Sequence, residues 1–239
     1  MQNERLEEIR THLIQAAEED YRSFAAGLLP GTEGILGVRL PKLRKLAVRY
    51  AKACGTELLS QMEQSVQEGR ELFFEERLLW GMSIGYLEME AEERKRRLLS
   101  FLPQIDNWSV CDSCCITYKF MKEEPVLWWE FIRSFFQSQK EFEVRFGVVC
   151  GLDFFIREEF LDAFLTELEQ IRHPAYYAQM AQAWALSMCY AAYPEQTEKV
   201  IAGRSLSDMV QNKTIQKIRE SHQVEKAAKE RLLQYRKGV

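Results

Sequence analysis

Ile105-Asp106-Asn107-Trp108-Ser109-Val110-Cys111-Asp112-Ser113-Cys114-Cys115-Ile116-Thr117-Tyr118 reads as one short helix. Asp106 or Asn107 supplies a side-chain oxygen that caps the free N–H groups of a first turn. Trp108 then falls in that first turn and Asp112 one turn later, so a large ring and a carboxylate share one face. Asp112 is a weak mid-helix residue with no capping task there. Val110, Cys111, Cys114, Cys115 and Ile116 around it are core-type side chains. An acid in that company needs a partner or a purpose.

Outward from this stretch nearly everything has helical periodicity. Leu6, Ile9, Leu13 and Ala16 form an apolar stripe on a first amphipathic helix. Pro41 opens a helix, as proline does well in a first turn. Helices are expected over 58–66, 72–87 and 91–102, and Pro125 restarts the chain into 126–136, with Leu127, Phe131 and Phe135 as its core stripe. The apolar run 142–156 is a buried helix that carries Arg145. Further helices follow over 159–171, over 175–193 with Trp184, and over 207–237. About a dozen helices with short connections and no strand pattern predict an all-α fold. Their spacing, in pairs of roughly 40 residues, predicts a HEAT- or armadillo-like α-solenoid of antiparallel helix pairs with a concave face. No charged or proline-rich linker divides the chain, and residues 1–239 read as a single domain.

Composition narrows the function. The 239 residues are 46% hydrophobic and 28% charged, with a net charge of −4. That balance exerts no general pull on nucleic acid or an anionic membrane, so a DNA-binding face has to be local. The polar, acidic start is no signal or transit peptide, and no apolar run reaches the roughly 20 residues of a membrane span. A cytoplasmic protein with reduced cysteines is expected. Cys111-x-x-Cys114 has no second pair at metal spacing and no strand–helix context, which argues against a zinc or redox motif.

Two basic stretches stand out. Arg39, Lys42, Arg44, Lys45, Arg49 and Lys52 follow one another without an acid, as a solvated helix face or an anion-binding one. Arg94-Lys95-Arg96-Arg97 instead follows Glu90, Glu92 and Glu93 at ion-pair spacing and reads as a solvated face. The glycines of Leu28–Gly37 have no preceding strand, so a flexible turn is expected there rather than a nucleotide loop. The common hydrolase motifs are absent, and Trp108, Asp112, Arg145 and Trp184 remain as candidates for chemistry. A plainer reading stays open: a structural Asp112–Arg145 ion pair between helices with two core tryptophans.

At these residues the sequence resembles a family. Gly37-Val38-Arg39-Leu40-Pro41-Lys42-Leu43-Arg44-Lys45-Leu46-Ala47 is similar to the N-terminal signature of AlkD-like DNA alkylation repair proteins, HEAT-repeat-like glycosylases that remove N-alkylated purines. Trp108-x-x-x-Asp112, Arg145, Trp184 in Met180–Leu186, and Asn212–Ser221 continue the resemblance over roughly residues 35–222. It implies a DNA N-glycosylase that hydrolyses the glycosidic bond of cationic N3- or N7-alkylpurines, with Asp112 as the catalytic carboxylate. Trp108, Arg145 and Trp184 would bind the substrate. Arg39, Lys42, Arg44, Lys45, Lys213 and Lys217 would contact the DNA backbone. The implied partner is double-stranded DNA bearing alkylated bases, met by a monomer with no membrane, metal or cofactor. A non-catalytic DNA binder and a protein-binding α-solenoid are the alternatives.

Overall fold

A computed structural model describes residues 4–238; the rest of the polar start, and residue 239, lie outside it. Among the described residues there are fourteen α-helices and no strand. The fold is all-α. The chain falls into two compact units, Met1–Phe120 and Met121–Val239.

The first unit holds α1 (Glu4–Ala16), α2 (Glu19–Leu28), α3 (Leu40–Cys54), α4 (Glu57–Gln67), α5 (Phe74–Tyr86), α6 (Ala91–Phe101) and α7 (Trp108–Cys115). The α1 stripe of Leu6, Ile9, Leu13 and Ala16 is buried as its spacing requires. Helix α3 packs on α5 and α5 on α7, while α4 and α6 lie against α5 and each other. Close approach at the α5–α7 seam depends on Gly81, where a Cβ would collide with the Cys114 thiol and the Phe101 ring.

The glycine-rich stretch is not a loose turn. Its amides at Leu36, Gly37 and Val38 all donate to the carboxylate of Glu75, at 2.9, 2.8 and 3.1 Å. Glu75 itself is 1% exposed. Gly37 adopts φ +96°, and a Cβ there would lie 2.6 Å from the Glu18 carbonyl oxygen. A buried acid, invisible as such in the sequence, folds the loop around itself.

The supposed solvated patch on α6 is also half interior. Arg94 and Arg97 are buried. Arg94 donates to the carbonyls of Ile84 and Leu87 at 2.7 and 2.9 Å, satisfying the end of α5. Of the three expected i, i+4 pairs Glu93–Arg97 forms as an ion pair, at 2.7 Å, while Arg96 reaches back to Glu93 at 2.9 Å.

The second unit holds α8 (Pro125–Arg133), α9 (Glu141–Phe154), α10 (Glu158–Gln170), α11 (Tyr176–Ala192), α12 (Pro194–Gly203), α13 (Asp208–Glu220) and α14 (Lys226–Arg231). Helix α9 packs on α11 and α11 on α13, with α8 on α9, α10 on α11 and α12, and α14 on α13. The core of α8 departs in part from its expected stripe: Phe135, just past the helix, is buried as expected, but Leu127 and Phe131 are only half-buried, and Trp128, Trp129 and Ile132 are buried, with Phe136 beyond the helix end. Trp129 sits among Phe136, Phe155, Phe160 and Phe164, with ring centroids 5.5–6.1 Å apart. The contact with Phe164 is edge-to-face at 85°, and the other three are tilted at 54–57°.

The single helix expected over 207–237 is broken. After α13, Ser221 takes an extended conformation and the chain turns back through α14 and a 3-10 turn, Leu232–Tyr235. Leu232 completes a core cluster with Tyr190, Ile201, Ile215 and Ile218, which a continuous helix could not reach.

Candidate functional site

The capping prediction resolves in favour of Asn107, whose side chain accepts from the Val110 amide at 3.0 Å. Asp106 accepts from the Asn107 side-chain Nδ2 at 2.8 Å and pairs with Arg77 of α5. This anchoring fixes the first turn of α7, and with it Trp108. The Trp108 Nε1 donates to the Leu28 carbonyl oxygen at 3.4 Å, at the end of α2. Its indole borders an apolar cavity of about 200 Å³, which Tyr21, Leu28, Leu29, Phe74 and Leu78 also line.

Asp112, one turn on, is half-buried. Its helix is otherwise closed on the interior side by Val110, Cys111, Cys114 and Cys115, all fully buried. Burial pushes the Cys114 thiol well above its ordinary range; the nearby Arg44 acts against that shift and Asp112 adds to it. Arg44 also lies close enough to oppose the burial-driven rise of the Tyr86 hydroxyl. Arg44 thus projects from α3 toward the α5–α7 side of the first unit. Lys42, Lys45, Arg49 and Lys52 recur at i, i+3, i+7 and i+10, on a different face of α3.

Arg39 is exposed, and the acid missing from its own stretch comes from Glu18, at 2.8 Å. Its guanidinium also lies 4.9 Å from the Tyr21 ring centre. Lys42 reaches the Ala16 carbonyl at 3.4 Å. Lys45 is exposed, and among the described residues it has no ion pair.

In the second unit Arg145 is 6% exposed on α9. Its Nη1 donates to the Tyr177 carbonyl oxygen on α11 at 3.0 Å, and its guanidinium lies 6.0 Å from the Tyr177 ring centre. Tyr177 was missed in the sequence. It stands seven residues before Trp184, two turns along one helix face, and that spacing was the available signal. Tyr177, Met180, Trp184 and Met188 form a partly exposed aromatic–methionine stripe along α11. The Ser187 hydroxyl turns back to the Trp184 carbonyl at 2.7 Å and contributes no group to that stripe.

Trp108 and Trp184 are both half-buried, unlike Trp80, Trp128 and Trp129, which form the core. On α13, Lys213 donates to the Gln216 side chain at 3.1 Å, and Lys217 is half-buried. The candidates therefore fall on two rows of mutually packed helices. Lys42, Arg44, Lys45, Trp108 and Asp112 lie on α3 and α7 of the first unit, with Arg39 capping α3. Arg145, Trp184, Lys213 and Lys217 lie on α9, α11 and α13 of the second.

All six cysteines are free thiols, with Cys54 the least buried of them. Among the described residues, no three His, Cys, Asp or Glu side chains cluster closely enough to hold a metal ion. No helix among them is long and apolar enough to cross a membrane.

The family model described as DNA alkylation repair enzyme matches residues 9–221, and the chain belongs to that family. No curated protein and no solved structure matches it.

Proposed function

We propose that this protein is a DNA N-glycosylase for cationic N3- and N7-alkylated purines, built as a HEAT-like α-solenoid whose concave face receives duplex DNA. The observation that carries the reading is Asp112, a half-buried carboxylate one turn from a partly exposed tryptophan in a DNA alkylation repair family member. An N-alkylated purine is already a cation and hence a good leaving group. As the C1′–N9 bond breaks, its electron pair neutralises the purine and positive charge grows on the deoxyribose. A fixed carboxylate beside that sugar stabilises the charge. It also orients the water whose oxygen bonds to C1′ and accepts the proton that water sheds.

Trp108 and Trp184 stack on the sugar or the cationic base, an attraction that strengthens with the positive charge. Arg145 is held by the Tyr177 carbonyl and its guanidinium contacts a backbone phosphate. Arg44, Lys45, Lys213 and Lys217 position the duplex, with weaker parts for Arg39 and Lys42, which already have protein partners. The test is release of free N7-methylguanine from a methylated duplex by the purified protein, read by chromatography. Duplex binding without base release would remove the catalytic reading and leave a non-catalytic binder.

A further inference from the structure

The C-terminal segment, residues 222–238, lies beyond the part of the chain that the family model matches. It folds back on α13 and closes a cleft of about 530 Å³, lined by Asn212, Lys213, Gln216, Arg219, Glu220 and Arg236. The far wall is held by side chains aimed at its backbone. Asn212 both donates to the Lys237 carbonyl at 2.9 Å and accepts from the Lys237 amide at 3.0 Å. Gln211 donates to the Tyr235 carbonyl at 3.0 Å, and Arg204 to that of Arg236 at 3.0 Å. The buried Leu232 anchors the same segment. Arg236 is thus delivered to the cleft by a fixed main chain.

Three cations face one acid there. Glu220 already accepts from Gln216 at 2.8 Å. Among the described residues, neither the Arg219 nor the Arg236 guanidinium has a hydrogen bond or an ion pair. A second arginine-lined cleft, with Arg10, Arg70 and Arg77, is the opposite case. Each of its guanidiniums is matched by a carboxylate, from Glu76, Glu7 and Asp106 respectively. Like-charged groups left unmatched along one cleft favour an anion, and a planar guanidinium fork matches phosphate oxygens in pairs.

We infer that the cleft between α13 and the C-terminal segment binds a backbone phosphate of duplex DNA through Arg219, inside the family region, and Arg236, which this chain adds from beyond it. The inference rests on the DNA-repair reading. Affinity for an unmodified duplex is measured against salt for wild type and for Arg219→Gln/Arg236→Gln, with circular dichroism to confirm folding. Each phosphate contact contributes about −0.9 to the slope of log affinity against log salt. The double variant is expected to lose about one unit of slope and to bind several-fold to tenfold more weakly at low salt. Arg236→Lys, which keeps the charge, recovers most of the slope. Wild-type binding with a slope and affinity that the double variant leaves unchanged overturns this inference alone. Absence of any wild-type duplex binding overturns the proposed function and this inference together. The Arg side-chain N–H resonances separate the two phosphate sources. Duplex is expected to shift them at far lower concentration than inorganic phosphate. Saturation by inorganic phosphate with no response to duplex would reassign the cleft to free phosphate and overturn the inference.

Discussion

Removing the Glu75 carboxylate is expected to unfasten the loop that carries α2 to Trp108. Three backbone amides donate to it, from Leu36, Gly37 and Val38, and the last two of those bonds are buried. Glu75→Ala leaves those donors without an acceptor. A buried donor so orphaned costs about 1–3 kcal/mol, and water relieves the cost at the more open Leu36 amide. The sum is about 3–5 kcal/mol, a large part of the 5–15 kcal/mol that holds a typical domain together. At a urea dependence of about 1–3 kcal/mol per molar, the unfolding midpoint falls by more than about 1 M. Glu75→Gln keeps one carbonyl acceptor and should lose about half as much. Urea denaturation followed by circular dichroism reads all three proteins. A Glu75→Ala loss below about 1 kcal/mol would refute the idea that this acid organises the loop. Because the Leu28 carbonyl accepts from Trp108, the same variant should also change Trp108 fluorescence in the native state.

Gly37→Ala should cost about 2–3 kcal/mol by the same assay, since φ is +96° and the new Cβ meets the Glu18 carbonyl. A wild-type midpoint would show that the loop can shift to admit it. Hydrogen bonds from Arg96, and then from Arg97, hold the Glu93 carboxyl at about 2, below its ordinary 4.5. A depressed carboxyl stabilises the fold above about pH 4.5 and loses that contribution as pH falls through about 2. Stability against pH in that acid window should therefore be flatter for Glu93→Gln, and parallel curves would count against the pair. Burial pushes the Cys114 thiol well above its ordinary range and Cys189 up to about 12. Native protein at pH 8 should release colour from Ellman's reagent at Cys54 alone, and at six thiols in denaturant; rapid labelling of Cys114 would contradict the buried α7 face.

Helix identity was legible wherever one apolar face repeats, as in α1, α3 and α7. A cap at Asp106 or Asn107 and the placement of Trp108 and Asp112 one turn apart on α7 were legible too, because both depend on residues within a few positions of each other. Features set by distant residues were not. Glu75 looked like any acid in the first turn of α5, yet it holds a loop nearly 40 residues away. Arg94 looked like part of a charged face until the end of α5 was placed beside it. On α8, periodicity put Leu127 and Phe131 inside with Phe135, and the aromatic cluster around Trp129, formed with residues far along the chain, leaves those two only half-buried. The break after α13 had no proline or glycine to mark it; burial of Leu232 set it. Tyr177 escaped notice because its partner, Arg145, lies on another helix.

The direct test of the glycosylase account is the single-turnover rate of N7-methylguanine release at saturating duplex, for wild type against Asp112→Asn. The substitution keeps the side chain's shape and removes its charge. If Asp112 stabilises the developing sugar cation, the rate should fall by about 100-fold or more while duplex affinity changes little. Equal rates for the two proteins would contradict the assignment of Asp112.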